Sequence, residues 1–132
     1  MNPTVTTRGL TLDAGALIAL DAPDKAAIMQ ARLDEARRRG GSICIPIGVV
    51  AQAWRGPRQV RLARLIRSSD VEVATITLSV ARAVGVLCAS SGHQDVIDVH
   101  VALCARARHH AVVTSDVDDL ARIDPDLPLI HV

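Results

Sequence analysis

The sequence predicts an α/β fold with a mainly parallel central sheet. Three observations predict it. Short aliphatic runs alternate with segments of helical periodicity along the whole chain. The apolar residues, 49% of 132, include no Phe and no Tyr, and Trp54 is the only Trp. A core of Val, Ile, Leu and Ala suits parallel strands covered by helices. Finally, two of the runs end in an aspartate, at the strand ends where open parallel sheets place their ligands.

The elements follow in order. Residues 10–12, Leu-Thr-Leu, form a short buried strand that ends at Asp13, and residues 14–20 form a short helix. Asp21 is placed to cap a second helix, with Pro23 tolerated in its first turn. That helix carries Ile28, Met29, Leu33 and Ala36 at helical spacing and stops at Gly40-Gly41. Residues 42–46 are the second strand, and residues 47–54 a helix broken by Gly56-Pro57. Residues 58–68 present Val60, Leu62, Leu65 and Ile66 as the apolar side of another helix. Residues 71–76 are the third strand, and Thr77 caps a helix rich in Val, Ala and Leu that runs to Gly92. A helix over 95–109 precedes the fourth strand, 112–114, which ends near Asp116. A short helix over 117–123 and an edge strand over 129–132 close the chain. Length and the absence of any linker or repeat predict one domain spanning 1–132.

Composition narrows the function. Net charge is +1, from 15 basic and 14 acidic residues, which excludes a strongly basic nucleic-acid coat. Lys25 is the only lysine, so the positive charge is carried by arginine, whose planar fork suits phosphate oxygens. Cys44, Cys88 and Cys104 fit neither a zinc motif nor a disulfide framework. Buried free thiols are expected, in keeping with a reducing cytoplasm. Residues 1–9 are polar, with no signal-peptide apolar region, and no apolar run has the roughly 18 residues of a membrane span.

The acids concentrate at strand and helix ends. Asp13 and Asp116 each lie just past a strand and converge if those strands are neighbours. Asp95 and Asp98, three apart at a helix start, share a face. Asp95 is a natural N-cap; Asp98 has the position of a capping-box acid and is also placed to join a site. Asp118 and Asp119 fall in a first helical turn, where the helix dipole favours acids. Asp119 is also three residues from Asp116. Two carboxylates 4 Å apart repel by about 4 kcal/mol at an effective dielectric of 20, so such a group needs a counter-ion. All-oxygen ligands suit Mg2+ or Mn2+.

Three segments then resemble a known family. Leu12-Asp13-Ala14-Gly15-Ala16-Leu17 resembles the opening motif of PIN domains. The stretch from Asp98 to Ala105 resembles the family's later Asp-plus-helix motif. Val113-Thr114-Ser115-Asp116-Val117-Asp118-Asp119-Leu120 resembles its closing motif. Order and spacing fit over nearly the whole chain, and VapC-type toxins of toxin–antitoxin pairs are the nearest kin. The resemblance implies a three-layer α/β/α PIN-like domain and a Mg2+- or Mn2+-dependent endoribonuclease. It implies a homodimer silenced by a cognate VapB-type antitoxin. Asp13, Asp98 and Asp116 would be the catalytic metal ligands, with Asp119 as a further ligand. Gln52, Thr114, Ser115 and Asp95 would support them. Where the family carries a glutamate, this chain has Gln52, so a catalytically degenerate module that binds RNA or protein without cutting is the alternative.

Other features are less telling. Arg55, Arg58, Arg61, Arg64 and Arg67 recur every third residue, and Arg58, Arg61 and Arg64 are expected to share a broad basic face. That face is either solvated or a contact for RNA phosphate or antitoxin. His93, His100, His109 and His110 show no metal-ligand spacing, and His109-His110 is expected to favour a helix C-terminus. Trp54 is expected in the core or a dimer interface. A phospho-acceptor receiver would need a late lysine, and a haloacid-dehalogenase phosphatase an Asp-x-Asp; neither is present.

Overall fold

The computed structural model describes residues 8–132. The polar stretch read as lacking a signal segment lies, up to Thr7, outside the described residues.

Five strands form one sheet: β1 (Gly9–Leu12), β2 (Ser42–Pro46), β3 (Val71–Ala74), β4 (Ala111–Thr114) and β5 (Leu129–His131). Their order is β3-β2-β1-β4-β5, and every pairing is parallel. β1 therefore lies between β2 and β4. Leu10 faces Ile43 on one side and Ala111 on the other.

Seven helices connect the strands among the described residues: α1 (Ala14–Ala19), α2 (Ala26–Arg38), α3 (Ile47–Ala53), α4 (Val60–Ile66), α5 (Leu78–Ser91), α6 (Val96–Arg108) and α7 (Val117–Ile123). From β1 through β3 the chain steps toward one edge of the sheet; from β3 it crosses back to β4 and on to β5. Right-handed crossovers then put the helices of the first half on one face and those of the second half on the other. The packing agrees: α1 contacts α2 and α3, whereas α5, α6 and α7 contact one another. The result is a three-layer α/β/α fold.

The core is aliphatic, as the composition requires. Leu12, Leu17, Ile43, Ile45, Val49, Leu62, Val112 and Val113 are fully buried. β1 and β4 are buried at every position, which fits central strands covered on both faces. Cys44 and Cys104 are buried free thiols as expected, while Cys88 is half-buried.

Several local expectations are corrected. Asp21 does not cap α2, which starts at Ala26 after Lys25 with no side-chain cap. Its two carboxylate oxygens instead accept the backbone N–H groups of Arg61 and Leu62, each at 3.1 Å, at the start of α4. Pro57 and Arg58 lie outside that helix, so Arg58, Arg61 and Arg64 do not form one helical face. The backbone of Arg61 is held by Asp21, and Arg61 and Arg64 line a cleft with Arg37 and Asp34 between α2 and α4. β3 ends at Ala74, because Thr75 and Ile76 leave the ladder before Thr77 caps α5. His109 ends α6 in the left-handed conformation at φ 57°. His110 is no dipole partner: it is buried, bonded to Thr11 Oγ1 at 3.0 Å and Ser42 Oγ at 2.9 Å. Trp54 is exposed and belongs to no core.

Candidate functional site

The direction of the sheet changes between β1 and β4, which makes a crevice beyond their carboxyl ends. Asp13 and Asp116 stand on its two sides. Asp13 is the N-cap of α1: its Oδ1 accepts the Ala16 N–H at 3.2 Å. The Thr114 hydroxyl donates to the Asp13 carboxylate. The same Thr114 oxygen accepts the Asp116 N–H at 2.8 Å. Thr114 thus stands between the two strand ends.

Gly15 shows how close the two loops come. A Cβ added there would meet Ser115 Oγ at 2.3 Å and Ser115 Cβ at 2.7 Å. A side chain at position 15 would push the first acidic loop off the second. Ser115 is itself exposed and serves as the wall that Gly15 packs on.

The third acid arrives on α6. Asp95 is its N-cap, accepting the N–H groups of Ile97 and Asp98 at 2.9 and 3.2 Å. That commits Asp95 to the helix start and leaves Asp98 half-buried at the crevice. Gly48 of α3 permits the approach of α6, since a Cβ there would meet Ile97 Cγ1 at 2.9 Å. Gln52 lies one turn further along α3, half-buried, and its side chain makes no hydrogen bond among the described residues.

Asp119, in the first turn of α7, completes the acids. It lies beside Asp116, whose carboxyl it makes harder to ionise, and its Oδ1 accepts from Arg122 Nη1 at 2.9 Å. Asp118 is exposed, as expected of a first-turn acid.

The electrostatics confirm that these carboxyls are neighbours. Burial raises the Asp13 carboxyl above the ordinary carboxylate range, opposed by hydrogen bonds from Thr114 and from the Ala16 and Gly15 N–H groups, with the Asp98 charge adding to the rise. Asp98 is raised by burial, opposed by a hydrogen bond from His93, with Asp95 and Asp119 adding repulsion. Asp116 is raised by desolvation, by its bond to Asp119, and by the charges of Asp119, Asp98 and Asp13. Each acid makes its neighbours harder to ionise. Oxygen donors from three distant chain segments, mutually repelling, are the donor chemistry that a hard divalent ion neutralises.

His93 is the residue the sequence did not reveal. Its Nε2 lies 3.2 Å from Asp98 Oδ2, and one ligand atom from each of His93, Asp98 and Asp119 falls within 4.8 Å of the others. It sits in the turn before α6, so no helical spacing ties it to Asp98. Only the tertiary turn brings it in.

A three-layer α/β/α PIN-like fold with an acidic crevice at its switch point is the class of protein these observations define. Comparison with known proteins bears on the fold. The chain is similar to the structure of FitAB bound to an IR36 DNA fragment, at 16% identity, with a TM-score of 0.62 over 92% of this chain and 94% of that one. It is also similar to FitAcB from Neisseria gonorrhoeae, at 15% identity and a TM-score of 0.64, covering 92% and 96%. At such identities the likeness is one of fold, and at that level the PIN resemblance of the sequence holds. No family model matches the chain, and no curated protein does.

Proposed function

We propose that the chain is a single PIN-type domain acting as a metal-dependent endoribonuclease toxin of the VapC kind. This reading is supported by the mutual electrostatic effect of Asp13, Asp98, Asp116 and Asp119 beyond the ends of β1 and β4, of which Asp98 and Asp119, with His93, have ligand atoms within 4.8 Å of one another. Asp13, Asp98 and Asp116 would hold the Mg2+ or Mn2+ ion, with Asp119 as a further ligand. A bound ion supplies charge for the phosphodiester and acidifies the attacking water. The protein's own contribution is positioning. Thr114 ties Asp13 to the Asp116 backbone, and Asp95 fixes the first turn of α6 so that Asp98 faces the crevice. Ser115, packed on Gly15, sets the separation of the loops.

The partners follow from the same reading: RNA as substrate, a VapB-type antitoxin as inhibitor, and a second copy of the chain. The fold neighbour FitAB, an assembly described bound to DNA, supports membership in a multi-component complex. No helix among the described residues is long and apolar enough to cross a membrane, and we place the protein in the cytoplasm.

The test is cleavage of a defined RNA. Mg2+ or Mn2+ should support cutting, EDTA should stop it, and Asp13→Ala or Asp116→Asn should abolish it with the fold intact. Full cleavage in excess EDTA rejects the reading. Gln52 favours one second reading, a module that binds RNA or a protein without cutting. Binding that persists with no metal-dependent cleavage at any Mg2+ or Mn2+ concentration selects that alternative.

A further inference from the structure

The imidazole at the edge of the acidic crevice has a fixed place. α5 ends at Gly92 in the left-handed conformation, φ 73°, and the chain turns back at once. The His93 backbone N–H donates to Ser91 Oγ at 3.2 Å, and Asp95 caps the next helix two residues later. The turn is therefore anchored at both ends, and the His93 side chain is only 17% exposed.

Its spacing is that of a ligand. Donors about 2.1 Å from an octahedral ion stand roughly 3.0 Å apart when adjacent and 4.2 Å apart when opposite. The 3.2 Å between His93 Nε2 and Asp98 Oδ2 matches an adjacent pair. The three ligand atoms of His93, Asp98 and Asp119 lie within 4.8 Å of one another, so closing on one ion asks for a shift of at most about 0.6 Å beyond the 4.2 Å of opposite donors.

We propose that His93 is a nitrogen ligand of the crevice ion and that it makes the site select Mn2+ over Mg2+. The proposal rests on the metal reading given above and narrows it. Imidazole suits transition ions, whereas Mg2+ takes oxygen ligands, holds its waters and demands a near-ideal octahedron. In the ion-bound state Nε2 carries the lone pair toward the ion and the ring proton resides on Nδ1.

The experiment is calorimetric titration of the full chain with Mn2+ and with Mg2+, paired with electron spin echo spectroscopy of the Mn2+ form. The variants are His93→Ala, His93→Gln and Asp116→Asn, each checked for folding by circular dichroism. The wild type should bind Mn2+ the more tightly and show histidine-nitrogen modulation. His93→Ala should weaken Mn2+ by about tenfold or more, leave Mg2+ nearly unchanged and abolish the modulation. His93→Gln, which keeps a donor for Asp98, should not restore Mn2+ binding. Mn2+ binding without nitrogen modulation overturns the proposal, as does equal weakening of both ions or full rescue by His93→Gln. Those results leave the metal reading standing, with His93 only orienting Asp98. If the folded wild type binds neither ion, or Asp116→Asn binds as well as wild type, the metal reading itself fails.

Discussion

Gly15→Ala tests the convergence of the two acidic loops more directly than removal of an acid. Position 15 lies in the first turn of α1, where alanine is intrinsically better than glycine by roughly 1 kcal/mol. Local propensity alone predicts stabilisation. The added methyl, however, would stand 2.3 Å from Ser115 Oγ, 2.7 Å from Ser115 Cβ and 3.1 Å from Ser115 N. Two of these are far inside van der Waals contact, and relief requires the loops after β1 and β4 to part. Overpacking of this kind costs about 1–3 kcal/mol. The balance runs from about zero to a net loss of about 2 kcal/mol, or a fall in melting temperature of up to roughly 8 °C for a domain of this size. Ser115→Gly removes the two closest atoms and leaves only the 3.1 Å approach. The double variant should therefore recover most of the stability, with a coupling of at least 1 kcal/mol in a double-mutant cycle. Urea unfolding of the four proteins measures it. Strictly additive effects of Gly15→Ala and Ser115→Gly would refute the close approach and with it the crevice geometry.

Four further outcomes follow from the same structure. The carboxyls of Asp13, Asp98 and Asp116 are raised, so their contribution to stability is full below the unfolded carboxylate range and is lost as pH rises through their folded values. Asp116→Asn should accordingly stabilise the metal-free protein at neutral pH, by under about 1 kcal/mol given solvent screening, and a drop in melting temperature would contradict the mutual repulsion. His110 behaves oppositely: burial, then the Arg108 charge, pushes it down to about 4. Its contribution is present above the unfolded value near 6.5 and is lost as pH falls toward 4, up to about 3 kcal/mol, so His110→Gln should flatten the stability profile between pH 6.5 and 4. Asp21→Ala should cost about 0.5–2 kcal/mol by orphaning the Arg61 and Leu62 N–H groups, read by chemical denaturation. Thr114→Val keeps the shape and removes the hydroxyl that both Asp13 and Asp116 use; it should lower affinity for divalent ions in titration with less than about 2 kcal/mol lost in stability.

Much of this was legible in the sequence because its signals are local. Aliphatic runs and helical periodicity marked every strand and helix, since each depends on nearby residues. Asp13 and Asp116 could be paired from their strand ends once β1 and β4 were supposed adjacent, and the sheet order makes them so. What was hidden depends on contacts between remote segments. Asp21 reads as a local cap, and only the fold sends it to a helix forty residues away. His110 reads as a helix terminator, yet Thr11 and Ser42 recruit it into the interior. His93 has no spacing to declare it, because a turn rather than a helix sets its distance from Asp98.

The central position of β1 has a consequence for the order of synthesis. A nascent chain exposes Asp13 early, pairs β1 with β2 soon after, and then waits through four helices and β3 for β4. Until residue 114 has left the ribosome the crevice has only one wall. Premature termination or proteolytic loss of the last fifth of the chain therefore yields a fragment with no complete acidic cluster.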